Sequence, residues 1–186
     1  MASGWGDPRP YRGEGEKHEG LDFRASVGTP IFAVGDGKVV TSKNALPDPA
    51  GDIIAIQHDN GILSRYLHLS VRQVKVGDIV RAGQQIAESG ASGIKQSAAH
   101  LHFDLKIKPD RLSEYTGRFG IPVGGFPSKQ FGFIPIPAEP LVPVDQWRPG
   151  VRERAVQNNI PIFTETGIGV VGYALILGGL YYVLKG

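Results

Sequence analysis

Between Leu21 and Leu105 the apolar residues come in short runs, each closed by glycine, asparagine, aspartate or proline. That texture predicts short strands separated by tight turns. Pro30-Ile-Phe-Ala-Val34, Gly35-Asp-Gly37 and Lys38-Val-Val-Thr41 read as strand, turn and strand, the pattern of a hairpin. Asp52 to His58 reads as a buried strand stopped by the hairpin turn Asn60-Gly61, and Ile62 to Leu69 follows it. From Val74 to Ile86, Gly77-Asp78 and Gly83-Gln84 fall around Val80 and Ile86, so the chain wraps tightly at each glycine. Leu101, Phe103 and Leu105 alternate with His100, His102 and Asp104, a strand with one apolar and one polar face. The expected fold class is all-β, a wrapped antiparallel sheet of barrel-sandwich type.

Outside that region the texture changes twice. Residues 1–17 are polar and glycine-rich, an N-terminal arm with no basic region followed by an apolar run, so no secretory signal is expected there. The strand-forming domain is expected over 18–145, with 106–145 an irregular closing segment, and 146–166 a linker. Seven of the 14 prolines lie between Phe119 and Pro149. Proline fixes φ and removes backbone donors, which predicts extended, semi-rigid chain. From Gly167 to Leu184 there are 18 residues without a charge. As a helix they cover about 27 Å, close to the ~30 Å of a hydrocarbon core. Tyr181, Tyr182 and Lys185 suit an interface, and Arg148, Arg152 and Arg154 suit an anionic lipid surface. The expectation is one C-terminal membrane anchor helix at 167–184, the alternatives a buried core helix or a hydrophobic protein contact.

Composition narrows the chemistry. The 186 residues hold one catalytic domain plus an appendage, and 26 glycines favour a turn-rich β fold. A net charge of +2 suits an anionic polymer but is too small to argue for nucleic acid, and no nucleic-acid partner is expected. With no cysteine, disulfides and thiolate metal sites are excluded, so any metal is held by histidine and carboxylate.

The histidines are placed suggestively. In His18-Glu-Gly-Leu-Asp22 the two end residues share a face on a strand, and on a helical turn, so they can close on one ion. His100 and His102 share the polar face of their strand about 6.5–7 Å apart, so that one can bind a metal while the other sits beside it. His68, in Tyr66-Leu-His-Leu-Ser70, is a further candidate near a strand end. Two histidines and a carboxylate form a known ligand set for catalytic zinc, and nitrogen plus carboxylate suits zinc better than magnesium or calcium. His58, beside a turn, is expected to be structural or exposed rather than catalytic. Tyr66 is a core aromatic or a groove wall, and Arg12 either orients Asp22 or is solvated.

These segments together resemble the lysostaphin-like zinc endopeptidases, from about Tyr11 to Leu105, with Pro137 to Val144 as a candidate closing strand. His18-Glu-Gly-Leu-Asp22 is similar to the H-x-G-x-D motif, Arg65-Tyr-Leu-His-Leu-Ser70 to the Y-x-H-L-S segment, and His100-Leu-His102 to the H-x-H motif. Asp104 stands where the family usually has glutamate, and Ser97-Ala-Ala where a glycine-proline pair is common. The resemblance implies one zinc per chain on His18, Asp22 and His102, with His100 as base. His68 is implied as a second catalytic histidine that stabilises the oxyanion. It implies a metalloendopeptidase cutting peptide cross-links of peptidoglycan. The alternatives are a non-catalytic wall-binding or hydrolase-regulating module of the same fold, or a lipoyl-like carrier domain. A tail anchor and a wall substrate together suggest a lysin carried in a bacteriophage virion, with membrane and other virion proteins as partners, acting in the host periplasm or wall. An exported wall-remodelling enzyme is the other reading.

Overall fold

The computed structural model describes residues 3–4, 6–9, 15–59, 61–95, 97–112 and 134–136. Its strands are β1 (Leu21–Arg24), β2 (Pro30–Phe32), β3 (Gly37–Asn44), β4 (Asp52–Gln57), β5 (Ile62–Leu67) and β6 (Leu69–Arg72). They continue as β7 (Ile79–Val80), β8 (Gln85–Ser89), β9 (His100–Ile107) and β10 (Ile134–Ile136), with a 3-10 turn at Pro109–Arg111. All the described pairings are antiparallel. A larger sheet runs β1-β9-β5-β4-β3-β7, and β2-β8-β6 form a smaller one. The all-β, wrapped antiparallel expectation holds across these residues.

Period-two alternation explains the core. Leu21 and Phe23 of β1 face the same way as Leu101, Phe103 and Leu105 of β9, and they meet Ile31, Leu69 and Ile86 of the smaller sheet in one buried cluster. The core therefore lies between the sheets, and each fully buried large side chain contributes about 1.5–3 kcal/mol. Tyr66 is a core residue: its ring centroid lies 5.3 Å from that of Phe103 and its hydroxyl accepts the Val34 N–H at 2.9 Å. Burial pushes its pKa up to about 12.

β9 organises the larger sheet. One of its edges pairs with β5, and the other is shared, with β1 opposite His100 to Phe103 and β10 opposite Leu105 to Ile107. β9 thus continues through Lys106 and Ile107, two residues into the stretch expected to be irregular, and β10 lies within that stretch as well.

Two other expectations are corrected. The hairpin across Gly35-Asp-Gly37 does not form, because β2 joins the smaller sheet while β3 pairs with β4 and β7. Tertiary contact explains the turn residues instead. A Cβ on Gly37 would lie 2.6 Å from the Gln57 carbonyl oxygen, and the Asp36 carboxylate accepts the Ala82 N–H at 2.7 Å. The run from Ile62 to Leu69 is likewise not one strand, since the chain breaks at His68, whose φ is +64°, and passes into the other sheet. Pro137 to Val144, the linker 146–166 and the hydrophobic stretch 167–184 lie outside the described residues. Among the described residues no helix is long and apolar enough to cross a membrane.

Candidate metal centre and its groove

Strand register brings the two sequence motifs together. Asp22 on β1 stands directly opposite His102 on β9, and Arg24 opposite His100. Opposed residues on neighbouring strands point to one side with Cβ atoms about 5 Å apart. His18 arrives differently: it precedes β1 in an irregular stretch that bends at Gly20. A Cβ on Gly20 would come within 2.5 Å of the Phe103 carbonyl oxygen and 2.9 Å of the Asp104 Cβ. Glycine is what lets this stretch lie against β9 and deliver His18 over the strand.

The donor atoms then converge. His18 Nε2 lies 3.0 Å from His102 Nδ1 and 3.1 Å from Asp22 Oδ1, and His102 Nδ1 lies 2.9 Å from the same oxygen. The other ring nitrogens fix the tautomers. His18 Nδ1 faces the Gly4 carbonyl at 2.9 Å and His102 Nε2 faces the Asp104 carboxylate at 3.2 Å, and both of these groups only accept. With both rings neutral and the hydrogen on the outer nitrogen, three lone pairs point at one another. That arrangement calls for a cation between them. Tetrahedral zinc with bonds of about 2.0–2.1 Å places its ligand atoms about 3.3 Å apart, close to the spacing here. The residues fit the metal.

Without a metal, a proton takes that place. Burial alone would raise Asp22, but hydrogen bonds and charge from His102 and His18 outweigh it and hold the carboxyl well below the usual range. Burial would lower His102, yet Asp104 and Asp22 overcome it and raise its affinity for a proton. A proton and a metal ion compete for that lone pair. His18 is lowered, chiefly by burial.

His100 and His68 flank this cluster. His100 donates Nδ1–H to the Ala98 carbonyl at 2.9 Å, which leaves Nε2 as an acceptor 3.7 Å from Asp22 Oδ1. The His68 ring lies 4.8 Å from that of His100 and 6.1 Å from that of His102, and it donates Nδ1–H to the Ser92 carbonyl at 2.9 Å. Burial pushes the His68 pKa down to about 4, so the ring is neutral near pH 7. A neutral ring with its hydrogen spent on Ser92 has no second donor. The oxyanion role implied for His68 requires its protonated, doubly donating form. All five residues line one groove of about 1080 Å³, along with Arg24, Ala25 and Lys95.

Sequence reading missed several neighbours of the cluster. Arg9 donates to Asp22 Oδ2 at 2.8 Å, whereas Arg12 lies outside the described residues. Arg65, opposite Asp104 in register, holds that carboxylate through Nε and Nη2 at 2.8 and 2.6 Å. The polar face of β9 is therefore not a solvated one. Asp104 and Lys106 are fully buried, Lys106 meeting Glu19 at 3.0 Å. The alternating pattern located this face but could not show what covers it. His58 is structural and not exposed, buried between the Asp36 carbonyl at 2.7 Å and the Ser64 hydroxyl at 2.9 Å.

Comparison with known proteins places this geometry. Peptidoglycan DD-endopeptidase ShyA of Vibrio cholerae is 41% identical over 105 residues, which is 55% of this chain and 24% of that protein. The catalytic domain of the antimicrobial peptidase lysostaphin from Staphylococcus simulans superposes with a TM-score of 0.52 at 38% identity, covering 57% of this chain and 78% of that one. A zinc containing peptidase from Vibrio cholerae superposes at 0.51 with 38% identity, over 56% and 32% of the two chains. The chain spans about a quarter of the length of the curated relatives it matches. Residues 16–113 match Peptidase family M23. That match opens just before His18 and closes just after β9, so the cluster and the strands that carry it lie inside it, and the chain belongs to Peptidase family M23.

Proposed function

We propose that this chain is a zinc-dependent endopeptidase that cuts peptide cross-links of bacterial peptidoglycan, with one zinc per chain on His18, Asp22 and His102. The observation that carries the reading is the convergence of His18 Nε2, Asp22 Oδ1 and His102 Nδ1 in a groove shared with His68 and His100. Relatives named as a peptidoglycan DD-endopeptidase and as a zinc containing peptidase support it. Besides the Arg9–Asp22 pair, the charged residues along the groove are Arg24 and Lys95, cations suited to an anionic wall polymer.

Zinc in this position supplies Lewis acidity toward a water and a scissile carbonyl. The chain's own residues supply the rest. Asp22 lowers the net charge of the centre, and Asp104, clamped by Arg65, keeps the His102 ring in the tautomer that offers Nδ1. His100 Nε2 faces the cluster as an acceptor, in place to take a proton from the attacking water and return it to the departing amine. His68 Nε2 offers a second acceptor that holds the water's other hydrogen and orients its lone pair. No serine or cysteine nucleophile is required.

Digesting purified cell walls with the protein and identifying the new amino termini tests the proposal. New termini at cross-link peptides, lost on chelation and restored by zinc, are expected. Wall binding without new termini would instead support a non-catalytic module.

The uncharged stretch from Gly167 to Leu184 supports a second part of the reading, that the domain is tethered at a lipid bilayer. A bacteriophage particle, whose membrane or entry apparatus must pass the wall, is the carrier that this pairing of domain and tether fits. Full-length protein should float with liposomes, whereas a chain ending near Gly150 and an Ile176→Arg variant should not. A charge near mid-helix costs about 2.5–3.5 kcal/mol on insertion scales. Full-length protein that sediments as an oligomer would make the stretch a protein contact.

A further inference from the structure

We propose that the N-terminal stretch Ser3–Arg9 is a working part of the metal centre, setting the orientation of Asp22 and His18 and thereby the affinity for zinc. The proposal rests on the metal-centre reading given above. None of these residues falls within the family match, which begins at residue 16.

The stretch is built onto the ligand-bearing chain. Ser3 bridges to Asp22, whose N–H donates to the Ser3 carbonyl at 2.9 Å, and Pro8 bridges to Lys17. His18 N–H donates to the Asp7 carbonyl at 2.9 Å, and Gly6 N–H to the His18 carbonyl at 2.8 Å. Asp7 in turn ties the stretch together, accepting from the Ser3 hydroxyl at 2.9 Å and the Gly4 N–H at 2.7 Å.

From this frame two contacts reach the ligands. The Gly4 carbonyl accepts His18 Nδ1–H at 2.9 Å, which turns Nε2 toward the cluster. Arg9 Nη2 donates at 2.8 Å both to Asp22 Oδ2 and to the Ser3 hydroxyl. The carboxylate therefore offers Oδ1 alone to the two histidines, while Oδ2 is held away. The side chains of Arg9 and Asp22 are only 11% and 13% exposed, so solvent screens this pair little. Arg9 is a positioning residue: it acts on the metal through Asp22. Outer contacts of this kind typically govern 10–100-fold in metal affinity.

The test uses the full chain. Zinc affinity is measured by competition with a chromophoric chelator, and the visible spectrum of the cobalt-substituted protein is recorded, for wild type, Arg9→Met, Arg9→Lys and Ser3→Ala. Arg9→Met should weaken zinc about 10–100-fold and shift the cobalt bands, because Oδ2 becomes free to ligate. Arg9→Lys should recover part of the affinity, since an ammonium can still hold Oδ2. Ser3→Ala should weaken zinc in the same direction by a smaller factor.

A purely structural role for the stretch would lower the thermal midpoint of the metal-free protein and leave the cobalt spectrum unchanged. Wild-type zinc affinity and an unshifted spectrum in Arg9→Met overturn the proposal, even if activity falls. If Arg9→Met does not fold, wild-type affinity and spectrum in both Arg9→Lys and Ser3→Ala overturn it equally. A wild-type chain that takes up no zinc overturns the metal-centre reading itself, and this proposal with it.

Discussion

His102→Ala is expected to empty the metal centre and abolish wall digestion. Apparent binding energies for structural zinc run to about 10–16 kcal/mol over four ligands, or roughly 2.5–4 kcal/mol for each. Losing one ligand should therefore weaken zinc by two to three decades, and dilute chelator should then strip it. The effect at His102 is compounded, because its Nε2–H is also the partner of Asp104, which would keep Arg65 but lose its link to the centre. Asp22→Asn should weaken zinc similarly: its amide oxygen can still accept from Arg9, but the guanidinium loses its compensating charge, a change that can cost about 3–5 kcal/mol in a buried pair. Zinc-to-protein ratios after dialysis, read beside wall digestion, decide the matter. A variant that keeps about one zinc and wild-type activity would refute the ligand assignment.

The second large effect separates chemistry from metal binding. His100→Ala and His68→Ala should both retain zinc and lose turnover, by about 10²–10⁴-fold for a general base. Zinc loss in His100→Ala with retention in His102→Ala would exchange their roles. His68 also carries a stability signature in the metal-free protein. Its pKa is about 4 when folded against 6.5 for the free group, so the unfolded chain binds the proton more readily between those values. Its contribution is then complete above pH 6.5 and is lost as pH falls toward 4, in total on the order of 3 kcal/mol. His68→Gln should flatten the acid side of the stability curve by about one proton over that window. An unchanged slope would show that His68 is not held neutral by the fold.

What could be read from the sequence was local. The alternation of His100, His102 and Asp104 with Leu101, Phe103 and Leu105 gave both the strand and its faces, because side-chain direction has period two. Glycine turns marked where strands stop. What the sequence hid is set by partners far along the chain. Asp22 and His102 are 80 residues apart, and no period shows that β1 lies beside β9. Arg65 sits in an apolar run and resembles a surface charge until Asp104 is found opposite it. Ser3, Gly4 and Arg9 belong to a stretch with no pattern at all, and two of their contacts are made through backbone atoms that carry no residue signature. Gly35-Asp-Gly37 misled for the opposite reason. Its composition imitates a hairpin, but Asp36 and Gly37 serve contacts with Ala82 and Gln57.

His68 stands at the point where the chain leaves the larger sheet for the smaller one, held at φ +64° with its N–H on the Ala50 carbonyl. A non-glycine residue in that conformation carries strain on the order of 1 kcal/mol, sustained by the packing around it. Asp22 and His102 belong wholly to the larger sheet. On the proposed zinc reading, substitutions beneath β6 and β8 would therefore shift His68 relative to the strands that carry Asp22 and His102. On that reading, a lineage meeting a new cross-link, or an engineer seeking one, would adjust how fast the bond is cut separately from how tightly the metal is kept.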